Sequence, residues 1–186
     1  MKIILASKSP RRRGLFSIIT EQFATVETNV DEGIFSSLPA KEQSEGLAKL
    51  KCRTAFAKFP DAVVIGCDTL VESDGEVFGK PIDRNDAFRM LRRLSNATHN
   101  VYTGVAIASP EFFCCFSCCT EVFFREMSND EINAYIDSGE PFDKAGGYGI
   151  QGMAARYIRG VSGDYFNVMG LPVSMIYGIL HENGIV

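Results

Sequence analysis

Residues 62–78 read AVVIGCDTLVESDGEVF, and this stretch decides the fold. Its first part, residues 62–71, is an almost unbroken apolar run, which is typical of a strand buried on both faces of a sheet. Asp74-Gly75 is a strong hairpin signal, so the chain is predicted to turn back into a short strand at residues 76–78. Elsewhere strands and helices alternate. The pattern predicts the α/β class, with a mixed twisted sheet and flanking helices.

Working outward from this hairpin, the other elements follow from capping residues and apolar periodicity. A strand is predicted at residues 2–6. Two further strands, at residues 99–108 and 112–124, are predicted to form a hairpin around Ser109-Pro110. Helices are predicted from Pro10, over residues 41–59, from Asp83, behind the capping box Ser128–Glu131 and from Pro172. The first of these helices is expected to carry Leu15, Ile18 and Ile19 on one face, and the last carries Ile176, Tyr177 and Leu180.

Composition excludes several classes of protein. The chain has 186 residues, 46% hydrophobic and 23% charged, which predicts a single folded domain over residues 1–186 rather than disorder. A net charge of −4 argues against a nucleic-acid binder, which is usually basic. The longest apolar run, Phe112–Cys119, is too short to cross a bilayer, and Ile3–Ala6 is too short for a signal peptide. We therefore expect a soluble cytoplasmic protein with no membrane or nucleic-acid partner.

Four of the six cysteines lie at residues 114, 115, 118 and 119. Their aromatic neighbours favour a strand, in which residues three apart point to opposite faces, so Cys115 and Cys118 could not share a zinc ion. Cysteines four apart on one face would lie about 13 Å from each other, too far for a disulfide. We expect buried strand thiols here, and a zinc site stays open only if this segment is a helix or a turn.

The segment Ser7-Lys8-Ser9-Pro10-Arg11-Arg12-Arg13 joins a predicted strand to a helix N-terminus. Backbone N–H groups and the helix dipole attract anions at such a junction, whereas three arginines in the first turn oppose that dipole. Hydroxyl, N–H and guanidinium groups together suit a polyphosphate. The segment is a candidate phosphate site, and the alternative is a solvated basic face on a surface helix.

Asp68 stands inside the apolar run of the central strand, where aspartate is rare. An unpaired buried carboxylate is costly, so Asp68 needs a cation, a metal or several hydrogen-bond donors. Asp31-Glu32 can supply a second carboxylate, and two carboxylates with a triphosphate would form an all-oxygen Mg²⁺ site. The alternatives are a structural carboxylate at Asp68, satisfied by backbone donors, and a surface acid at Glu32.

Three lysines near turns and a glycine-rich loop complete the candidate set. Lys80 is the strongest of the lysines because the predicted hairpin returns it toward the end of the Asp68 strand, whereas Lys51 and Lys144 have weaker cases. Residues 139–170 hold eight of the 17 glycines, which let a backbone approach a ligand closely. Gln151 in this segment can present a donor and an acceptor side by side. The alternatives are solvated surface lysines and an ordinary flexible loop.

Taken together, these segments resemble the Maf family of nucleoside triphosphate pyrophosphatases. The matching pieces are ASKSPRR at 6–12, DE at 31–32, GCDTLV at 66–71, GKP at 79–81, TGV at 103–105, DKAGGYGIQG at 143–152 and NVMGLP at 167–172. Each piece is weak alone, but the ordered set is specific and extends over essentially the whole chain.

The resemblance implies an α/β fold similar to inosine triphosphatase, with two lobes around a central nucleotide cleft. It implies hydrolysis of a nucleoside triphosphate to the monophosphate and pyrophosphate with Mg²⁺ or Mn²⁺. Residues 143–152 are similar to the branch that acts on dTTP and UTP, with modified pyrimidine nucleotides as further candidates, and a homodimer is a family expectation. The alternatives are the 7-methyl-GTP branch and a non-enzymatic nucleotide-binding regulator, because the family is also associated with inhibition of septum formation.

Position by position, the resemblance implies that Asp68 is the proton acceptor and that Glu32 and Lys80 are further catalytic groups. The expected metal ligands are Glu32 and Asp68. Substrate-binding positions are implied at Ser7, Arg11, Arg12, Lys51, Thr69 and Gln151. The chain departs from the family pattern at Cys52, Cys67, Asn96 and Arg13, and none of these departures touches the proposed chemistry.

Overall fold

A computed structural model describes all 186 residues, which form a mixed seven-stranded sheet with flanking helices. The strands are β1 (Ile3–Ala6), β2 (Ala24–Thr25), β3 (Val63–Ser73), β4 (Glu76–Phe78), β5 (Thr98–Ala108), β6 (Phe113–Phe124) and β7 (Ile158–Ser162). The helices are α1 (Pro10–Phe16), α2 (Ala40–Phe56), α3 (Arg84–Leu94), α4 (Asn129–Asp137), α5 (Tyr165–Val168) and α6 (Val173–Glu182). The prediction of a mixed α/β fold is confirmed.

The strands follow the order β2-β1-β3-β5-β6-β7, and β4 pairs with β3 off this path. Strand β1 is parallel to both of its neighbours, with Leu5 opposite Ile65 of β3. Strands β3 and β4 are antiparallel, and the turn between them has positive φ at Asp74 (50°) and Gly75 (80°). This is the backbone that a two-residue hairpin requires, as the sequence predicts.

Contacts divide the chain into two compact units. The first comprises residues 1–68, 103–118 and 170–186, and the second comprises residues 69–102 and 119–169. Small residues are common in the core of the first unit: Ala6, Ala48, Cys52, Ala55, Ala62 and Ala106 are all buried there. Large side chains fill the core of the second unit, including Phe78, Leu91, Phe124, Tyr135 and Tyr157. The single domain over residues 1–186 stays a prediction.

Two helical faces differ from the expected ones. Helix α1 ends at Phe16, and the N–H groups of Ile18 and Ile19 bond to carbonyls three residues back, so the helical period tightens there. Ile18 is consequently 63% exposed, whereas Leu15 is buried, so the two do not share one apolar face as predicted. In α6, Ile176 and Leu180 are buried, whereas Tyr177 is exposed and stacks on His181 of the same helix.

The cysteine-rich segment is a strand, β6, as predicted, which removes the helix or turn that a zinc site needed. All six cysteines are free thiols. The expected burial is wrong for this segment, because Cys114, Cys115 and Cys118 are half-buried and Cys119 is exposed. The reason is that β7 pairs only with residues 121–124 of β6, so it leaves the cysteine-bearing half of that strand without cover from β7.

Two strands carry too weak a pattern to be predicted. Strand β2 has only two residues, and β7 contains Gly160 and an exposed Arg159. Both are strands because a longer neighbour offers its backbone groups, not because of local propensity. The helices are all too short or too polar to cross a lipid bilayer.

Candidate active site

Helix α2 lies against the sheet at two glycines. A Cβ atom on Gly66 of β3 would lie 2.5 Å from the carbonyl oxygen of Ala48, and one on Gly104 of β5 would lie 2.1 Å from that of Ser44. Such distances are far inside van der Waals contact, so both positions need glycine for the helix to approach this closely. The close approach brings Lys51 of α2 beside Asp68 of β3.

Lys51 binds two carboxylates at once. Its Nζ donates to Oδ1 of Asp68 at 2.6 Å and to Oε1 of Glu32 at 2.6 Å. The side chains of Lys51 and Asp68 are only 11% and 9% exposed, whereas that of Glu32 is 59% exposed. The buried charge of Asp68 is thus satisfied by a lysine ammonium group rather than by backbone donors alone.

Burial dominates the electrostatics of Asp68. Loss of water raises the pKa of its carboxyl group, while the nearby charges of Lys51 and Arg12 oppose that rise. A carboxylate with a raised pKa is a better proton acceptor than an ordinary surface aspartate. The environment of Asp68 therefore suits a general base.

The loop before α2 fixes Glu32. Glu32 begins a 3₁₀ turn, Glu32–Phe35, and the preceding Asp31 caps it by accepting a hydrogen bond from the N–H of Gly33 at 2.9 Å. The turn points the Glu32 carboxylate at Lys51, so Glu32 is an exposed acid that also takes part in the cluster.

The basic segment before and within α1 is ordered by short-range hydrogen bonds. Ser9 caps α1 by accepting from the N–H of Arg12, and the Ser7 hydroxyl accepts from the N–H of Ser9 at 3.2 Å. Arg12 Nε donates to the carbonyl oxygen of Gly170 at 2.8 Å, so this side chain is anchored in the first unit and lies near Asp68. Arg11 is half-buried. Lys8 and Arg13 are exposed and match the alternative of a solvated basic face.

The remaining predicted site residues belong to the second unit. Thr69 follows Asp68 on β3 and is half-buried. Lys80 is exposed after β4, and the carbonyl oxygen of its neighbour Gly79 accepts from the N–H of Gly146 at 3.0 Å. Gln151 is exposed on a turn closed by the N–H of Gly152 and the carbonyl of Gly149 at 3.0 Å. The roles of these residues stay predictions.

The protein ligands for a divalent metal are few. No three His, Cys, Asp or Glu side chains cluster closely enough to hold a metal ion by themselves. Asp68 and Glu32 nevertheless offer carboxylate oxygens that converge on one ammonium group. Mg²⁺ usually takes one or two carboxylates and completes its coordination with phosphate oxygens and water. The pair fits such a partial ligand set.

Lys51 has a larger part in the site than the sequence pattern predicts. Lys80 is the strongest lysine on that pattern, yet Lys51 is the group that joins both carboxylates. The sequence carries a signal for this role, because Lys51 stands three residues after Ala48 and four before Ala55 and so shares their face of α2, which is buried. A lysine on a buried helical face needs a carboxylate partner.

The glycine-rich loop is tied to a buried histidine. Nε2 of His99 lies 2.7 Å from the hydroxyl oxygen of Tyr148, and both rings pack edge-to-face on Phe124. Burial lowers the pKa of His99 from 6.5 to about 4. His99 is therefore neutral at pH 7 in the folded protein.

The lowered pKa of His99 makes the stability of the folded protein depend on pH. The unfolded chain takes up a proton at His99 near pH 6.5, but the folded chain does so only near pH 4, so stability is lost as the pH falls between these values. The expected loss is about 3 kcal/mol. Urea unfolding at pH 7 and pH 4 should show a smaller loss in His99→Phe than in the wild type, while the exposed His181→Phe control keeps the wild-type loss. Equal losses in His99→Phe and the wild type would contradict this assignment.

Comparison with known proteins decides the family. A family model described as Maf-like protein matches residues 2–183. The chain belongs to the Maf family. Among curated relatives, a protein of Thermosipho africanus named dTTP/UTP pyrophosphatase is 46% identical over 186 residues, covering 100% of this chain and 95% of that protein. Proteins of the same name from Koribacter versatilis and Moorella thermoacetica are 43% and 44% identical, each with 96% of its length covered.

Solved structures agree on the fold of this Maf-family chain. The Ham1 protein of Staphylococcus aureus superposes with a TM-score of 0.57 at 15% identity, covering 98% of this chain and 100% of that one. A HAM1 protein from Coxiella burnetii gives a TM-score of 0.52 at 15% identity, covering 98% of this chain and 99% of that one. Identity this low supports the shared fold only.

Proposed function

We propose that this Maf-family protein hydrolyses dTTP and UTP to the nucleoside monophosphate and pyrophosphate. Relatives that are 41–46% identical over nearly their whole length and named dTTP/UTP pyrophosphatase support this function. The observation that carries the proposal is the buried carboxylate of Asp68, held with Glu32 by one lysine. A cytoplasmic location and a homodimer stay predictions.

The polyphosphate needs neutralisation before water can attack its α-phosphorus. A triphosphate brings about four negative charges, and cationic side chains lower the cost of adding a nucleophile to it. We assign Arg11, Arg12 and Lys80 to the phosphate oxygens, with Ser7 as a hydroxyl partner. Arg12 is already anchored by the carbonyl of Gly170, so little freedom is lost when it binds phosphate.

Asp68 is proposed to accept the proton of the attacking water. The water oxygen forms the new bond to the α-phosphorus, the bond from that phosphorus to the bridging oxygen breaks, and pyrophosphate leaves. Lys51 keeps the Asp68 and Glu32 carboxylates together and prevents their mutual repulsion. Glu32 and Asp68 would hold a Mg²⁺ or Mn²⁺ ion. When bound, that ion would lower the pKa of water and neutralise phosphate charge.

Gln151 is proposed to select the base. Uracil and thymine present a carbonyl beside an N–H, and one glutamine amide can pair with both. Cytosine has an acceptor nitrogen in place of that N–H and an amino group in place of the carbonyl, so an amide held in the orientation that suits uracil does not match it. A polar group left unpaired when the base covers it costs about 1–3 kcal/mol. Thr69 is assigned to the same substrate as a further specificity residue.

A substrate screen tests the proposed function. Purified protein with Mg²⁺ or Mn²⁺ is incubated with UTP, dTTP, CTP, modified pyrimidine nucleotides and 7-methyl-GTP, and pyrophosphate is measured. We expect UTP and dTTP to give the highest kcat/KM. A preference for 7-methyl-GTP would place the protein in the other branch of the family. Binding of nucleotide without pyrophosphate release would favour a non-enzymatic regulator.

Replacing Arg11 by alanine tests the phosphate assignment. A hydrogen bond to a charged group contributes about 1.5–3 kcal/mol, so Arg11→Ala should lower kcat/KM for UTP at least about tenfold. The helix itself should persist, because alanine is the best helix former and the unfavourable charge near the helix N-terminus is removed. Arg13→Ala, on the exposed position of the same turn, is the matched control. A lower melting temperature with unchanged kinetics would instead support a purely structural arginine.

A further inference from the structure

Glu140, which stands outside the expected site residues, joins α4 to the loop that carries Gln151. Its Oε1 accepts a hydrogen bond from the hydroxyl of Tyr135 at 3.0 Å, and its Oε2 accepts one from the N–H of Met153 at 2.9 Å. Tyr135 is fully buried on α4, and Met153 is two residues beyond Gln151. The carboxylate therefore connects a fixed point of the core to the backbone just after the candidate base-selecting residue.

Gly152 shows how closely the loop passes this carboxylate. A Cβ atom on Gly152 would lie 2.0 Å from Oε1 of Glu140. The backbone of Gly152 has φ −97°, which any residue can adopt, so any cost of a side chain there comes from the contact and not from the conformation. A side chain at position 152 would have to displace the Glu140 carboxylate from its present place.

The other end of the turn packs on the same platform. A Cβ atom on Gly149 would lie 2.7 Å from Cε of Lys144. The ammonium group of Lys144 donates to the carbonyl oxygen of Glu140 at 2.7 Å and to Oδ1 of Asp143 at 2.5 Å. The carboxylate of Glu140 and the aliphatic chain of Lys144 thus support both glycines that flank Ile150 and Gln151.

We infer that Glu140 is a positioning residue for substrate selection: it fixes the backbone of the Gly149–Gly152 turn and through it the amide of Gln151. The Gln151 side chain is exposed, so surrounding side chains do not enclose its amide. The fold can position that amide through the backbone of the turn that carries it. This inference rests on the proposed function of Gln151. Glu140 acts through the turn and touches neither base nor phosphate.

Alanine at position 140 removes both hydrogen bonds. Glu140→Ala should lower the UTP:CTP ratio of kcat/KM at least about fivefold, chiefly through UTP, since an amide misplaced by about 1 Å loses much of its advantage. Glu140→Gln should keep most of the ratio, because its oxygen can accept from Met153 while its NH₂ donates to the Tyr135 oxygen. Asp137→Ala, which breaks only the surface pair with Arg84, is the matched control.

A double-mutant cycle separates positioning from general destabilisation. Gly152→Ala alone should displace the carboxylate and reproduce the loss of selectivity. In the Glu140→Ala background the same substitution meets no carboxylate, so it should change the UTP:CTP ratio little further. Additive losses would mean that the two positions act independently and would overturn the inference. Should Glu140→Ala fail to fold, Gly152→Ala and Glu140→Gln decide the matter by the same ratio.

The failure of this inference is distinct from the failure of the proposed function. The wild-type preference for UTP and its loss in Gln151→Ala test the function of Gln151 directly. If both hold, but Glu140→Ala and Gly152→Ala keep the wild-type ratio while their melting temperatures fall, Glu140 is only structural. If the wild type shows no preference, the role of Gln151 is wrong and that of Glu140 falls with it.

Discussion

Asp68→Asn is expected to lower kcat for UTP hydrolysis at least about a hundredfold, the usual scale for a positioned acid–base group. Asparagine keeps the shape of the side chain but cannot accept the proton of the attacking water. It also leaves the buried ammonium group of Lys51 with Glu32 as its remaining carboxylate partner, and Glu32 is largely exposed. Steady-state kinetics at saturating UTP and Mg²⁺ measures the effect.

The control for this substitution is Asp61→Asn, which changes an exposed aspartate just before β3. It should retain wild-type turnover. Circular dichroism and melting temperature show whether Asp68→Asn is folded, so that a loss of activity can be assigned to chemistry. Turnover of folded Asp68→Asn within a few-fold of the wild type would remove Asp68 from the mechanism.

The second large effect is expected in the selection of the nucleotide base. We expect kcat/KM for CTP to be at least about tenfold below that for UTP, because a hydrogen-bonding site rejects a partner that leaves it unpaired. The dTTP and UTP values should lie within about tenfold of each other, since they differ at the base by one methyl group. Gln151→Ala should bring UTP and CTP together, chiefly by lowering the rate with UTP.

Met153→Ala is the matched control for Gln151→Ala. Met153 is an exposed neighbour in the same loop, and truncation of its side chain leaves its backbone bond to Glu140 intact. It should keep the wild-type UTP:CTP ratio. If Gln151→Ala keeps that ratio as well, Gln151 does not select the base, although the chemistry at Asp68 could still be correct.

The sequence predicts the central strand and its hairpin because both depend on local signals. An apolar run needs burial on both faces, and Asp74-Gly75 supplies the two positive φ angles of the turn. The capping box at Ser128 and Glu131 is confirmed for the same reason, because the residues that form it are three apart in the chain. Where the determining contact is local, the pattern suffices.

The cluster around Lys51 depends on contacts distant in sequence. Glu32, Lys51 and Asp68 come from a 3₁₀ turn, a helix and a strand, and the close packing at Gly66 and Gly104 brings the helix to the sheet. Chain order alone does not state which side chains meet there. The role of Glu140 cannot be predicted from the sequence either. Its carboxylate connects Tyr135 to Met153 only because the glycine-rich loop folds back onto α4.

Hydrolysis of UTP in ¹⁸O-labelled water tests the central claim most directly. Mass spectrometry of the products reports which phosphorus the water attacks and which bond breaks. The account predicts UMP and pyrophosphate in equal amounts, with the label in UMP, and loss of both products in Asp68→Asn. Label in pyrophosphate, or release of UDP and orthophosphate, would contradict attack at the α-phosphorus by water activated at Asp68.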